Sequence, residues 1–154
     1  MPGKLVKDYL DFNGIQYVTI SHSPAFTAQD IAESSHISGK NIAKTVVLKI
    51  DGNFAMAVLT ADKKLSTYLL QDLIHANKVE FASEEEFKDK FPDCEIGAMP
   101  PFGNLYNMDV YVSKEINEDN EIAFNAGSHT ELIQLKYRDF KNLVKPKILD
   151  ISIK

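Results

Sequence analysis

Apolar residues recur along the chain in two rhythms, one of three to four residues and one of two. Between Lys4 and Asn13 they fall at Leu5, Tyr9, Leu10 and Phe12, which predicts a helix stopped by Gly14. Ile15 to Ile20 reads as a short strand. After His22-Ser23-Pro24, Thr27 is a good N-cap for a helix running through Ser35. Val, Ile and Leu then crowd Ile42–Ile50 and Asn53–Thr60, and the Asp51-Gly52 pair between them predicts a β-hairpin.

The second half keeps the same style. Ser66 or Thr67 can cap a helix containing Leu69, Leu70, Leu73 and Ile74, and Lys78–Ala82 reads as a strand. Ser83-x-x-Glu86 is a capping box for a helix ending near Phe91-Pro92. A Gly/Pro-rich loop from Gly97 to Asn104 interrupts the pattern. Strands follow at Asp109–Val112, Glu121–Asn125 and Glu131–Leu135, then a helical turn at Tyr137–Leu143 and a last strand near Lys147–Ile151. There is no internal repeat, low-complexity stretch or linker. The expected fold class is α/β (α+β), a single compact domain over residues 1–154 with a mixed, largely antiparallel sheet flanked by helices.

Composition narrows this. A chain of 154 residues with 44% hydrophobic residues suffices for one core and is too short for two. The single cysteine, Cys94, excludes an internal disulfide framework and suits a reducing compartment. The N-terminus has no apolar signal region and no run is long enough to span a bilayer, so a soluble, cytoplasmic protein is expected. The net charge of -5 argues at first against a nucleic-acid partner. It is unevenly spread, however: acids crowd Glu84–Glu95 and Glu115–Glu121, while Lys136, Arg138, Lys141, Lys145 and Lys147 make the C-terminal segment basic. A protein gripping a long phosphate backbone would show a broader cationic face, whereas one that needs only the end of a strand would not. The other reading of those lysines is a solvated face.

Three short blocks carry candidate chemistry. Alternation along the first hairpin strand puts Lys44 on the face of Val46 and Leu48, opposite Thr45, Val47 and Lys49. Such a lysine either snorkels to the rim of the sheet or stands at a cleft edge as a point charge for a phosphate. In Gly97-Ala98-Met99-Pro100-Pro101-Phe102-Gly103, Gly97 permits close backbone approach and the prolines stiffen the chain. That loop is either a plain turn or a rigid wall that aims amides at a developing oxyanion. In Asn125-Ala126-Gly127-Ser128-His129, adjacent Ser128 and His129 point to opposite sides of an extended chain, and no nucleophile elbow is present. His129 reads equally as a hydrogen-bonding group of a site or a structural histidine. The four histidines lack short ligand spacings, Gly39-Lys40-Asn41 is no phosphate-binding fingerprint, and Cys94 with His129 is a weaker alternative for a Cys–His hydrolase.

Together, in this order and over most of the chain, the three blocks resemble the YbaK/ProX-type editing domain associated with prolyl-tRNA synthetase, an aminoacyl-tRNA deacylase family, in its free-standing form. The resemblance implies a YbaK-like fold and a trans-editing deacylase that hydrolyses the ester of a mischarged tRNA. The expected cargo is a small amino acid, alanine first, with cysteine, serine or threonine as further candidates. It also implies Lys44, Gly97 and His129 as catalytic residues, with Thr27, Thr45, Ala98, Met99, Pro100, Pro101, Gly127 and Ser128 binding substrate. Lys44 would hold the phosphate or sugar of the 3′-terminal adenosine, the loop would meet the aminoacyl carbonyl, and water would be assisted by the ribose hydroxyl. Neither cofactor nor metal is expected, and neither membrane nor DNA; an aminoacyl-tRNA synthetase is a further candidate partner. The alternative is a non-catalytic tRNA- or protein-binding module on the same fold.

Overall fold

A computed structural model describes residues 3–116 and 118–154. Helix α1 (Lys4–Phe12) buries Val6 and Leu10, the inward positions of its apolar stripe, and strand β1 (Tyr17–Ser21) follows. Helix α2 (Ala28–Ser35) starts where Thr27 Oγ1 accepts the amide of Asp30 at 3.0 Å. Strands β2 (Ala43–Ile50) and β3 (Asn53–Thr60) pair antiparallel from Ile50↔Asn53 to Ala43↔Thr60. Their turn is tight because Asp51 (φ 50°) and Gly52 (φ 86°) both adopt left-handed backbone, the requirement of a type I′ hairpin.

Beyond the hairpin come β4 (Lys64–Leu65), α3 (Thr67–Ile74) capped by Ser66, and β5 (Val79–Phe81). The capping box forms as expected, but helix α4 (Glu84–Phe87) is one turn long rather than continuing to Phe91. Pro92 disfavours helical backbone at Phe91, whose ring instead packs edge-on to Phe87 and Tyr106. Then come β6 (Asp109–Ser113), β7 (Glu121–Ser128), β8 (Glu131–Lys136), α5 (Tyr137–Val144), β9 (Lys147–Leu149) and β10 (Ser152–Ile153). The two-residue strands β4 and β10 pair only with each other and lie below the length at which a sequence pattern is visible.

A five-stranded sheet runs β5-β2-β3-β6-β9 and a three-stranded sheet runs β1-β8-β7. Only β3–β6 and β6–β9 are parallel, so the sheet system is mixed and largely antiparallel. A parallel bridge between Ile42 and Ala123 ties the entry of β2 to the middle of β7 and so joins the two sheets. The larger core cluster lies on the Ala43 and Val47 face of β2 and includes Leu10, Phe102, Phe124, Tyr137 and Phe140. The opposite face, carrying Val46, Leu48 and Ile50, packs with Leu59, Leu70 and Tyr111. No described helix is long and apolar enough to cross a membrane.

Candidate active site

Lys44 stands on the second residue of β2, half-buried, on the Val46 and Leu48 side. Its ammonium donates to the carbonyl of Lys63, in the turn that leaves β3. Burial pushes its pKa below the ordinary lysine value, and Lys64 adds to that while Asp62 opposes it. Lys49, on the other face, is an ordinary surface cation paired with Glu86 at 2.6 Å. Lys44 is thus set apart from Lys49 by a shortage of solvent and, among the described residues, by having no carboxylate in direct contact.

The loop after Cys94 is pinned to β7 from both sides. Glu95 N–H donates to Gly127 O at 2.7 Å, and Gly127 N–H donates back to Ala98 O at 3.0 Å. Gly127 itself (φ 94°) lies in the irregularity between Asn125 and Ser128, which lets β7 turn its backbone toward the loop. Gly97 (φ 89°) is exposed at the apex, and its amide meets only the weakly accepting thioether of Met99, at 3.2 Å. Of the loop amides whose hydrogen bonds are defined, it is the one with least to lose by turning to a ligand oxygen.

His129 sits at the tip of the β7–β8 hairpin and holds three segments together. Its amide donates to Glu95 Oε1 at 2.7 Å, its carbonyl accepts from Ala25 at 3.1 Å, and its Nε2 lies 2.8 Å from Ile96 O. A carbonyl only accepts, so Nε2 carries a proton directed at it. Nδ1 is buried without a hydrogen-bond partner among the described residues. Phe26 lies over the imidazole at a 42° tilt with centroids 4.4 Å apart, and a Cβ at Gly97 would lie 3.4 Å from Cε1. The ring is wedged between an aromatic lid and the loop apex.

These elements surround a pocket of about 180 Å³ lined by Phe26, Ile31, Ile42, Ala43, Lys44, Thr45, Gly97, Asn125 and Leu132. Lys44, Thr45 and Gly97 therefore meet in one cavity, with His129 directly behind Gly97. The remaining expected residues are placed differently. Ala98, Met99, Pro100 and Pro101 are buried behind the apex, Met99 within the larger core. Thr27 is occupied in capping α2, Gly127 is a backbone clamp, and Ser128 Oγ faces Thr130 Oγ1 at 3.3 Å. Four apolar lining residues, Phe26, Ile31, Ile42 and Leu132, were not singled out by sequence, because an apolar residue in a helix or strand reads alike whether it faces a core or a pocket. Asn125 was also missed as a lining residue; its buried Oδ1 has no partner among the described residues. Phe26 is 69% exposed, a property that only the folded chain shows.

Cys94 is removed from this chemistry. Burial pushes its thiol up to about 12, and its sulfur contacts the Tyr106 hydroxyl at 3.5 Å rather than His129.

Against known proteins, residues 22–143 match the family model described as the aminoacyl-tRNA editing domain. The chain belongs to that family, and its reaction class is hydrolysis of an aminoacyl-tRNA ester bond. It is 28% identical over 142 residues to the prolyl-tRNA editing protein ProX of Acetoanaerobium sticklandii, covering 88% of this chain and 86% of that one. It is 26% identical over 146 residues to the multifunctional Ser/Thr-tRNA deacylase ProXp-y of Escherichia coli K12, covering 92% and 87%. The crystal structure of a putative trans-editing enzyme for prolyl tRNA synthetase superposes with a TM-score of 0.82 at 17% identity, covering 99% of this chain and 97% of that one, which shows the shared fold.

Proposed function

We propose that residues 1–154 act as one editing domain that removes a small amino acid from the 3′-terminal adenosine of mischarged tRNA in trans, in the cytoplasm. The observation that carries this reading is the meeting of Lys44 and Gly97 in one small pocket, backed by His129. Lys44 is the cation for the phosphate or sugar of the terminal nucleotide. The Gly97 amide faces the aminoacyl carbonyl and stabilises the oxyanion formed when water adds to it. Collapse breaks the acyl C–O bond, the ribose oxygen leaves and takes up a proton, and a free amino acid departs. The neighbouring ribose hydroxyl assists the water, and the chain's own residues mainly position the ester. His129, with its protonated nitrogen committed to Ile96 O, fixes the apex rather than carrying protons.

A pocket of about 180 Å³ is small against the roughly 300–1,000 Å³ of sites for drug-sized ligands, and its size favours a short side chain. Alanine is the first choice. The Escherichia coli relative's name makes serine and threonine the next, and Asn125 Oδ1 is an acceptor that a hydroxyl can reach through a small side-chain rotation. An apolar pocket separates ligands differing by one methylene by only about 1–3 kcal/mol, so overlapping specificity is expected. An aminoacyl-tRNA synthetase is a candidate partner for presenting the substrate. The test is a panel of alanyl-, cysteinyl-, seryl-, threonyl- and prolyl-tRNA. Release from one or more small amino acids and none from proline is expected; inertness toward the whole panel would contradict the proposal.

A further inference from the structure

Beside the pocket, two turns lie against each other. The single 3-10 turn Gly39–Asn41 precedes β2, and the segment from Ala61 to Lys64 leaves β3. Ala61 N–H donates to Gly39 O at 3.0 Å and to Ile42 O at 2.9 Å, and a Cβ at Gly39 would stand 3.6 Å from that of Ala61. This packing gathers Lys40, Lys63 and Lys64 around Lys44. Lys63 supplies the carbonyl that receives the Lys44 ammonium, and Lys64 lies close enough to weaken the proton affinity of Lys44.

The ion pairs among the described residues all lie elsewhere on the surface, where Lys90, Lys114, Lys136, Lys145 and Lys147 also stand without one. Lys4, Lys7, Lys49, Lys78, Lys88, Arg138 and Lys141 all hold carboxylates in ion pairs, whereas Lys40, Lys44, Lys63 and Lys64 hold none among the described residues. The carboxylates at this end accept hydroxyl hydrogen bonds rather than direct ion pairs, and keep their charge. Asp62 accepts the Thr60 hydroxyl at 2.6 Å, and Glu115 binds the hydroxyls of Ser113 and Ser152. In a chain of net charge -5, Lys40, Lys63 and Lys64 on two abutting turns beside Lys44 form a lysine-rich surface in which Asp62 is the opposing charge.

We propose that Lys40, Lys63 and Lys64 bind the backbone phosphates of the single-stranded 3′ end of tRNA as it approaches the Lys44 pocket. This rests on the editing reading of that pocket. Two turns supply three flexible point charges, which suit a strand read by its phosphates rather than by its bases. The C-terminal basic segment is not the contact: Arg138 and Lys141 are neutralised by Asp119 and Glu118, and Lys145 and Lys147 border a separate pocket at the far end of the sheet.

The experiment measures the dissociation constant of deacylated tRNA, and of a short single-stranded RNA ending in CCA, against salt concentration. The proteins compared are wild type, Lys40→Gln/Lys63→Gln/Lys64→Gln, Lys64→Gln alone and Lys145→Gln/Lys147→Gln. Each single-strand phosphate contact contributes about 0.7 to the log–log slope, so the triple variant should lose about 2 and the single variant about 0.7. The C-terminal variant should keep the wild-type slope. An unchanged slope in the triple variant, or an equal loss in the C-terminal one, would overturn the proposal. Deacylation activity is scored separately, so a protein that binds RNA with the expected slopes yet releases no amino acid would count against the editing reading and not against this one.

Discussion

At the residue scale the site depends on a few groups whose surroundings differ from the ordinary. Gly97 combines a positive φ of 89° with a neighbour, His129 Cε1, at the distance a Cβ would reach. Gly97→Ala should therefore cost about 1–2 kcal/mol of stability through backbone strain, and relief of that strain would turn the apex amide. We expect kcat/KM to fall about tenfold or more, a loss larger than the melting shift alone explains. Lys44 acts as an ammonium, and its pKa is already lowered chiefly by burial, so activity should decline with rising pH before the ordinary lysine range is reached. Asp62 is the group that raises it. Asp62→Asn should move the alkaline limb of the kcat/KM profile to lower pH, and a profile that does not move would remove Asp62 from the site's electrostatics. Cys94→Ser should be close to neutral in activity, since a thiol held near 12 supplies little thiolate at neutral pH.

At the scale of elements, local chemistry and its outcome agree wherever the signal is short-range. The Asp51-Gly52 turn, the Thr27 and Ser66 caps and the Ser83-x-x-Glu86 box are each completed within a few residues, and each forms. The box carries a testable electrostatic consequence. Glu86 accepts hydrogen bonds from Lys49 and Ser83, which hold its carboxyl near 2 rather than 4.5. A carboxyl lowered on folding stabilises the fold above its unfolded value and loses that contribution as pH falls from about 4.5 toward 2. Glu86→Gln keeps a capping partner but not the titration, so its urea midpoint should depend less on pH across that window than the wild type's. What the sequence left dark at this scale is long-range. The helix after Ser83 stops early because Phe91 finds aromatic partners, and β4 exists only because β10 returns to pair with it.

At the scale of the whole molecule, the pocket is a product of topology. The Ile42–Ala123 bridge brings the start of β2 against β7, and the loop clamp at Gly127 brings Gly97 to the same place. Ala43-Lys44-Thr45, Gly97 and His129 were legible because their three blocks, weak singly, together and in order resemble the editing family. The apolar walls from Phe26, Ile31, Ile42 and Leu132 were not, since nothing local separates a pocket wall from a core residue. The charge reading changed most: two of the five C-terminal cations, Arg138 and Lys141, are paired with acids, while Lys40, Lys63 and Lys64 cluster beside Lys44.

The central claim is that this pocket hydrolyses aminoacyl-tRNA with Lys44 as its essential cation. It is tested most directly by single-turnover deacylation of the preferred mischarged tRNA with wild type and Lys44→Ala, alongside thermal melts of both. Lys44 donates a charge-assisted hydrogen bond to one backbone carbonyl, a contact whose loss costs about 1.5–3 kcal/mol. The variant should therefore melt up to about 10 °C below the wild type and still be folded at the assay temperature. Its deacylation rate should fall by about a hundredfold or more, the scale of losing a key charge stabiliser. A folded Lys44→Ala protein that deacylates at the wild-type rate would place the chemistry elsewhere and contradict the claim.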